Sequence, residues 1–304
     1  MPAPRRILVL VNPAAGRGRT LRFIPAIASL FQKHGVAAEF VAPQNATGLA
    51  DCAAGGIAHH EAILVLGGDG TFQHVVRSTL GSGVPLGILP VGGGNDVAAA
   101  FGIPKDPIAA AAAFLGGTPQ PMDVLRAQFS DGHAAVYLGG GGIGLDAAAA
   151  RLASGRFARW PGAARYFASA LWALKGFLAP AVEVELDDMC ILVSAEPMLL
   201  AVVTNTPTYG AGLRIAPEAK TDDGLLDVTL VGQLKWTRVL EAFPVLLRTG
   251  DLRWPEVKRF RGRRVVLRTE HPASFHGDGE ILGETPVEIS VLPGAINVIA
   301  PKQK

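Results

Sequence analysis

Charge and cysteine are both scarce in this sequence. Asp, Glu, Lys and Arg make up 18% of the 304 residues, and the formal net charge at pH 7 is only +2. A nucleic-acid-binding protein should carry a basic face or stripe, so the composition disfavours a nucleic-acid partner. The two cysteines, Cys52 and Cys190, match no zinc or redox spacing, which fits a reducing compartment such as the cytoplasm.

Long apolar runs are also missing. No stretch has the uniformly apolar, charge-free length of a membrane span. Apolar residues nevertheless make up 49% of the chain, which is enough to bury a large core. At this length a single hydrophobic core usually stops growing, so we expect two domains.

The character of the sequence changes near residue 119. Before it, apolar runs such as RILVLV and AILVL alternate with segments of helical period, including predicted helices that begin near Thr20, Ala46 and Thr71. After it, short strands dominate, interrupted by helices at about 162–178 and 236–249. The sequence predicts a doubly wound α/β domain over 1–119 and a β-rich, sandwich-like domain over 120–304, whose last strand could pack back on the first domain.

The segment EAILVLGGDGTFQHVV indicates a strand, a glycine turn and the start of a helix. The glycines that let backbone amides approach a phosphate there are Gly67, Gly68 and Gly70. The turn lacks the lysine of a Walker A loop, and Gln73 stands where a dinucleotide fingerprint needs its third glycine. Asp69 would repel phosphate unless Mg²⁺ with its retained waters lay between them. An ordinary turn capped by Asp69 or Thr71 explains the pentapeptide equally well.

Two further glycine-rich turns follow predicted strands. VNPAAGRG contains Asn12 and Gly16, and PVGGGND contains Gly93, Asn95 and Asp96. The carboxyl ends of parallel strands lie along one edge of the sheet, where open α/β sheets bind ligands. The three turns together therefore predict one phosphate-binding edge.

These segments, with DGLLDV at 223–228 and GDGE at 277–280, resemble in order and spacing the diacylglycerol kinase catalytic-domain family of soluble bacterial lipid kinases, related to sphingosine and ceramide kinases. The resemblance implies a nucleotide-binding first domain, ATP bound between the two domains and Mg²⁺-dependent phosphoryl transfer to a lipid hydroxyl. It assigns Asp69 to Mg²⁺ through water. The residues that it assigns to the nucleotide are Asn12, Gly16, Gly67, Gly68, Asp69, Gly70, Thr71, Gly93, Asn95 and Asp96.

The chain departs from the usual pattern of that family close to these residues. Gln73 and His74 replace an Asn-Glu pair, Gly93 replaces a threonine, and Ala42 stands where a threonine often ends the second strand. These replacements remove side-chain hydrogen bonds near the nucleotide.

The acids of SFHGDGEILGE are the candidates for acid–base chemistry. A lipid alcohol is a poor nucleophile until a base accepts its proton, and carboxylates do this in kinases. Asp278 and Glu280 are two residues apart, so in an extended segment they would project to the same side. The resemblance places them at the catalytic end of the second domain, and we expect Glu280 to accept the proton and Asp278 to orient the hydroxyl. The alternative is an Asp-Gly hairpin turn with solvated acids.

A structural metal is expected in KTDDGLLDV. The carboxylate of Asp223 with neighbouring carbonyl groups could hold a hard cation, and the resemblance implies Mg²⁺ bound also by the carbonyls of Lys220 and Leu225. An Asx turn explains the same residues nearly as well.

Two other glycine- and aromatic-rich segments leave alternatives open. GGGGIG at 139–144 is interpreted as close backbone packing, because no acidic residue follows at the distance of a dinucleotide site. Trp172 and Phe177 lie near basic residues on one predicted helix, which could make transient contact with the inner face of a membrane; a core helix with basic ends is the commoner explanation.

The expected function is that of a cytoplasmic, peripheral lipid kinase with a lipid alcohol as substrate. An NAD kinase or phosphofructokinase relative is one rival, since both use GGDGT-like loops. A non-catalytic nucleotide or lipid sensor is another. The sequence leaves open homodimer formation and the choice among diacylglycerol, sphingoid base and ceramide as acceptor.

Overall fold

A computed structural model describes residues 6–157, 160, 162–192 and 197–302. The chain forms two compact units. One contains the chain up to Met122 and again from Gly294, and the other is Asp123–Pro293. Cys52 is a half-buried free thiol, and the side chain of Cys190 lies outside the described part of the chain.

The first unit alternates strands and helices, as the sequence predicts. A short 3₁₀ segment, Thr20–Phe23, precedes its second helix. Its elements in chain order are β1 (Arg6–Val11), α1 (Ala15–Gly18), α2 (Ile24–Lys33), β2 (Ala37–Val41), α3 (Ala46–Gly56), β3 (Ala62–Gly67), α4 (Asp69–Thr79), β4 (Leu86–Pro90), α5 (Asp96–Ala100), α6 (Pro107–Leu115) and β5 (Thr118–Phe129), which continues into the second unit.

Parallel pairing explains the continuous apolar runs of the first unit. Its strands lie in the order β2-β1-β3-β4, all parallel, with Leu8 opposite Ile63 and Ile63 opposite Leu86. All six residues of β3 are buried, because helices cover both faces of such a sheet. The strand order reverses between β1 and β3, and open α/β sheets bind their ligands at such a reversal.

The second unit is rich in antiparallel strands. Its elements in chain order are β6 (Ala134–Tyr137), β7 (Gly140–Gly144), α7 (Leu145–Ser154), α8 (Gly162–Ala173), β8 (Val182–Leu186), β9 (Met189–Leu192), β10 (Met198–Thr204), β11 (Leu226–Gly232), α9 (Trp236–Arg248), β12 (Val257–Gly262), β13 (Arg264–Thr269), β14 (Ser274–Gly277), β15 (Glu280–Glu284) and β16 (Val287–Ala300). The C-terminal part of β16 returns to the first unit, where Val298 pairs with Leu86 of β4 in parallel.

Two antiparallel layers share the core of the second unit. One has the order β12-β11-β10-β7-β14-β15, and the other contains β16, β13, β8 and β9. A single cluster of buried side chains draws on both layers, from Ile143 and Val203 on one side to Val184 and Val265 on the other. Residues that alternate inward from two layers in this way form a sandwich. The predicted α/β domain followed by a β-rich, sandwich-like domain is confirmed.

The glycine run in β7 serves close packing, as predicted. A Cβ atom on Gly141, Gly142 or Gly144 would lie 2.4 Å from a backbone carbonyl oxygen of a neighbouring strand. Any larger residue would therefore push the strands apart. Separately, no helix within the described ranges is long and apolar enough to cross a membrane.

Candidate active site

Hydrogen bonds join the turns that follow β1 and β3. The side-chain amide of Asn12 donates to the hydroxyl of Thr71 at 2.8 Å, and the backbone N–H of Asn12 donates to the carbonyl of Leu66 at 3.1 Å. Thr71 is buried in the first turn of α4. The two turns at the strand-order reversal therefore form one structure, as the sequence predicts for the carboxyl edge of the sheet.

The carboxylate of Asp69 joins the turns that follow β3 and β4. Its Oδ2 atom accepts the backbone N–H of Asn95 at 2.5 Å and that of Asp96 at 3.3 Å. Asn95 has a left-handed backbone (φ 61°) that turns this N–H into the loop, just before α5 begins at Asp96. Asp69 therefore has a positioning role that the sequence did not reveal, because its partners are main-chain groups.

Glycine lets the loops approach closely. A Cβ atom on Gly92 would lie 3.0 Å from the Cα atom of Gly68, and one on Gly16 would lie 2.4 Å from the side chain of Val91. Gly16 also has a φ of 56°, which favours glycine. By contrast, no atom of the described residues, apart from the adjoining backbone of α4, lies within 4 Å of the Cβ position of Gly70, and Gly93 is exposed. The three turns at this edge of the sheet therefore pack closely against one another, whereas the positions of Gly70 and Gly93 leave space on the outer side of the turns.

Some buried polar atoms at this edge have no partner within the described chain. They are the side-chain oxygen of Asn95 and both amide atoms of Gln73, whose side chain is 1% exposed. Gln73 lies one helical turn beyond Asp69 on α4, so the two share a helix face. Buried polar groups are normally hydrogen-bonded. The glycine turns with the unpartnered oxygen of Asn95 therefore fit a polar, phosphate-bearing ligand such as a nucleotide, whereas the Gln73 amide is enclosed by protein.

The charge around the first turn also suits an anion. No acidic residue precedes Glu39, whereas Arg17, Arg19 and Arg22 follow β1 closely. The Nε of Arg19 donates to the carbonyl of Gly16 at 3.0 Å, which holds this basic segment against the turn. Main-chain amides and cations without intervening carboxylates favour phosphate.

In the second unit, backbone amides surround the carboxylate of Asp278. Its Oδ2 accepts the N–H of Leu138 at 2.7 Å, and its Oδ1 accepts those of Gly139 and Gly140 at 2.8 and 3.2 Å. Its own N–H donates to the carbonyl of Gly140 at 2.8 Å. Asp278 is therefore fixed on the turn between β6 and β7.

Removal from water raises the pKa of the Asp278 carboxyl, and the three backbone N–H groups oppose that rise. Burial, with the nearby charge of Asp278, also holds the pKa of the Tyr137 phenol well above its usual value. Tyr137 is fully buried, and its hydroxyl donates to the carbonyl of Val203 at 3.3 Å. The group beside Asp278 is thus a neutral phenol that is hydrogen-bonded to a backbone carbonyl.

The expectation that Asp278 and Glu280 share one extended segment is wrong. Gly277 pairs with Glu280 across the hairpin of β14 and β15, so Asp278 and Gly279 form its two-residue turn, both with positive φ (50° and 87°). An Asp-Gly pair is the favoured sequence for such a turn. Asp278 is not the solvated acid of the alternative interpretation, however, because its carboxylate is hydrogen-bonded. Glu280 is half-buried at the start of β15.

A buried polar network includes His276 of β14, the first strand of this hairpin, and sequence reasoning missed it. The Nε2 atom of His276 lies 2.9 Å from Oδ2 of Asp146, and the hydroxyl of Tyr209 donates to the same oxygen at 3.3 Å. The other ring nitrogen of His276 is buried without a partner among the described residues. Spacing carries no signal for a contact between residues 130 positions apart. The network holds β14 where the hairpin begins.

Comparison with known proteins assigns the chain to a family. Residues 6–127 match the family described as "Diacylglycerol kinase catalytic domain", and residues 140–300 match the "YegS C-terminal NAD kinase beta sandwich-like domain". A diacylglycerol kinase of Mycobacterium tuberculosis is 30% identical over 98% of this chain and 96% of its own length. The chain belongs to the diacylglycerol kinase family.

Other members of the diacylglycerol kinase family agree with this assignment. A diacylglycerol kinase of Bacillus subtilis is 27% identical over 99% of this chain and 98% of its own length. A crystal structure of a putative diacylglycerol kinase from Bacillus anthracis has the same fold, with a TM-score of 0.78, 22% identity and 99% coverage of both chains. The rival relationship to NAD kinases or phosphofructokinases is not favoured.

The structural metal that the family resemblance implies does not fit the contacts of Asp223. One oxygen of this carboxylate forms an ion pair with Nη2 of Arg261, and the other accepts the N–H of Leu225 at 3.1 Å. Arg261 also pairs with Asp227, whose Oδ1 lies 3.1 Å from its Nε atom. No group of three or more His, Cys, Asp or Glu side chains with metal-binding geometry occurs in the described chain. A cation held by Asp223, Lys220 and Leu225 would have to compete with the guanidinium.

Arg261 compensates a second carboxylate that is largely removed from water. Asp227 is 7% exposed, and burial raises its pKa to about 6 while Arg261 opposes the rise. Its Oδ2 atom has no partner among the described residues. Loss of Arg261 would leave two adjacent carboxylates without their shared cation.

Replacement of Arg261 by alanine should lower the thermal midpoint by a few degrees. The ion pair of Arg261 with Asp223 is partly exposed. We therefore expect the free energy of unfolding to fall by about 1–2 kcal/mol, less than the cost of breaking a buried ion pair. Without nucleotide, EDTA should leave the wild-type midpoint unchanged. Arg263→Ala, at an exposed arginine nearby, is the control. A wild-type midpoint that rises with Mg²⁺, and no longer does so in Asp223→Asn, would instead establish the metal site.

Proposed function

We propose that this protein is a Mg²⁺- and ATP-dependent lipid kinase that transfers the γ-phosphoryl group to the hydroxyl of a lipid alcohol. The observation that carries the proposal is the pair of hydrogen-bonded links, Asn12 to Thr71 and Asp69 to Asn95, that join the turns after β1, β3 and β4. Family membership supports the lipid as acceptor, and the names of the relatives make diacylglycerol the first acceptor to assay.

The nucleotide phosphates would lie against the backbone amides of Gly67–Thr71 and the N-terminus of α4. A helix N-terminus carries partial positive charge and N–H groups that have no partner within the helix. Asn12 and Thr71 would hold this turn, and the hydrogen bond from Asn95 to Asp69 would hold the turn that follows β4 beside it. Bound Mg²⁺, held by Asp69 through water, would neutralise phosphate charge and orient the γ-phosphoryl group.

The chemical step is a displacement at phosphorus. The lipid hydroxyl oxygen bonds to the γ-phosphorus while the bond to the bridging β-phosphate oxygen breaks, so ADP leaves. The hydroxyl proton passes to the carboxylate of Glu280, and Asp278 orients the hydroxyl. The amides of Leu138, Gly139 and Gly140 keep Asp278 in place during transfer.

A transfer assay with γ-labelled ATP and Mg²⁺ tests the proposal. Diacylglycerol, a sphingoid base and ceramide are offered in separate reactions, with NAD and a sugar phosphate as rival acceptors. We expect label in a phosphorylated lipid and none in the water-soluble acceptors. Label in NAD or sugar phosphate would refute the proposal. A thermal shift with Mg·ATP but no turnover on any acceptor would identify a sensor.

A further inference from the structure

Helix α9 exposes an apolar stripe to solvent. Trp236, Leu240 and Leu247 are 63%, 39% and 42% exposed, and Pro244 between them is exposed too. These spacings of three and four residues place the side chains on one side of the helix. Fold stability does not explain the stripe, because other residues of α9 make the contacts with the core.

A different side of α9 packs on the second unit. Val239 contacts one core cluster, and Leu246 contacts another. The ring of Phe243 lies 3.9 Å, centroid to centroid, from that of Phe167 on α8, so the two helices are neighbours. The exposed stripe is thus held on a helix that the core fixes in place.

Helix α8 adds an exposed tryptophan. Trp172 is 44% exposed, and the guanidinium of Arg156 and the ammonium of Lys175 lie 4.2 and 5.3 Å from its ring centroid. Phe177, which the sequence grouped with Trp172, instead packs on the core cluster of Leu145, Leu199 and Val231. The sequence pattern could not separate the outward aromatic residue from the inward one.

The sequence segments that form both helices carry charge of one dominant sign. Between Asp146 and Glu183 there is no acidic residue. The basic residues of this segment are Arg151, Arg156, Arg159, Arg165 and Lys175. On α9 and at its N-terminal end, Lys235, Arg238 and Arg248 outnumber the single acid, Glu241. The exposed ring of Trp172 is therefore accompanied by cations, and α9 with its N-cap carries more basic than acidic residues.

We propose that these two helices dock the protein on a bilayer of anionic phospholipid. The docking surface consists of Trp172, Trp236, Leu240 and Leu247, with Arg156 and Lys175 beside Trp172 and with Lys235 and Arg248 at the two ends of α9. Apolar side chains of such a surface enter the boundary between headgroups and acyl chains, and the cations pair with lipid phosphates. The proposal rests on the lipid-kinase function, which requires access to a substrate held in a membrane.

Charge favours a membrane over a second copy of the chain. A twofold dimer through this surface would place the same basic patch on both sides of the interface. Like charges would then face each other while the tryptophans became buried. An anionic bilayer complements the cations instead.

Vesicle sedimentation without nucleotide tests the docking surface. The wild-type protein should sediment with vesicles of phosphatidylglycerol and phosphatidylcholine but not with phosphatidylcholine alone. The double variant Trp236→Ser/Leu240→Ser should bind anionic vesicles at least about tenfold more weakly, because it loses most of the insertable apolar area of α9. Lys235→Gln/Arg248→Gln should weaken binding and its salt dependence.

Met189→Ser is the matched control, since Met189 is 66% exposed but lies in the β8–β9 hairpin. It should bind vesicles like the wild type. All variants should keep the wild-type thermal midpoint and turnover on a short-chain, water-soluble lipid alcohol. Undiminished vesicle binding by both double variants would overturn the proposal, as would a dimer that the tryptophan variant dissociates. Absence of turnover on every lipid would instead refute the kinase function. The sedimentation result would still test membrane docking, because it does not depend on turnover.

Discussion

Glu280→Gln should lower kcat by ~10²–10⁴-fold while the affinity for nucleotide stays close to that of the wild type. Glutamine is nearly isosteric with glutamate but cannot accept the proton of the lipid hydroxyl. Glu280 is half-buried at the start of β15, so the exchange should leave the hairpin folded. Steady-state rates of labelled phosphate transfer at saturating substrate give kcat, and nucleotide binding is measured separately.

Glu284→Gln is the matched control. Glu284 ends the same strand and is exposed, so its replacement removes the same charge from the other end of β15. It should leave kcat within a few-fold of the wild type. If Glu280→Gln costs no more than Glu284→Gln, then Glu280 is a surface acid of a hairpin and not the proton acceptor.

Asp278→Asn tests the second acid of the hairpin differently. Both carboxylate oxygens accept backbone N–H groups, so an amide nitrogen would bring donor against donor at Leu138 or at Gly139 and Gly140. We therefore expect a lower thermal midpoint as well as lower activity. Activity per folded molecule should still exceed that of Glu280→Gln. The opposite order would move the proton acceptor to Asp278.

The sequence predicts the parts of the fold that depend on local pattern. β3 is a continuous apolar run because it lies inside a parallel sheet, and Gly68 ends it with the extended backbone that precedes α4. The glycine turns were predicted at one edge, and contacts through Asn12 and Asp69 bring them together. The sequence predicts that α4 begins near Thr71, but the helix begins at Asp69, within the glycine motif itself.

The rest of the candidate site depends on contacts that local pattern does not encode. The carboxylate of Asp278 is held by main-chain N–H groups about 140 positions away, and every residue except proline carries such a group. His276 and Asp146 meet only because β14 lies beside β7 and α7 follows directly. Arg261 reaches Asp223 from the neighbouring strand β12. Each of these contacts requires a strand register, which the sequence leaves undetermined.

Asp69→Asn should reduce phosphoryl transfer by orders of magnitude at nearly unchanged thermal stability. The variant keeps an oxygen that can accept the N–H groups of Asn95 and Asp96, so the turns after β3 and β4 stay joined. It loses the negative charge by which Mg²⁺ would be held beside the phosphates. Transfer rates at increasing Mg²⁺, with the thermal midpoint of the apo protein, separate these two effects.

Two further variants separate the charge of Asp69 from its hydrogen bonds: Asp69→Ala, which removes both, and Asp51→Asn, which is the control. Alanine removes both the charge and the hydrogen bonds to the neighbouring turn, so this variant should lose activity and also unfold at a lower temperature. Asp51→Asn removes an exposed carboxylate from α3 in the same unit and should change neither property. If Asp69→Asn keeps full activity while Asp69→Ala loses both activity and stability, the carboxylate acts only as a link between the loops. The charge at Asp69 would then have no part in phosphoryl transfer, and Mg²⁺ would have to be held by other groups.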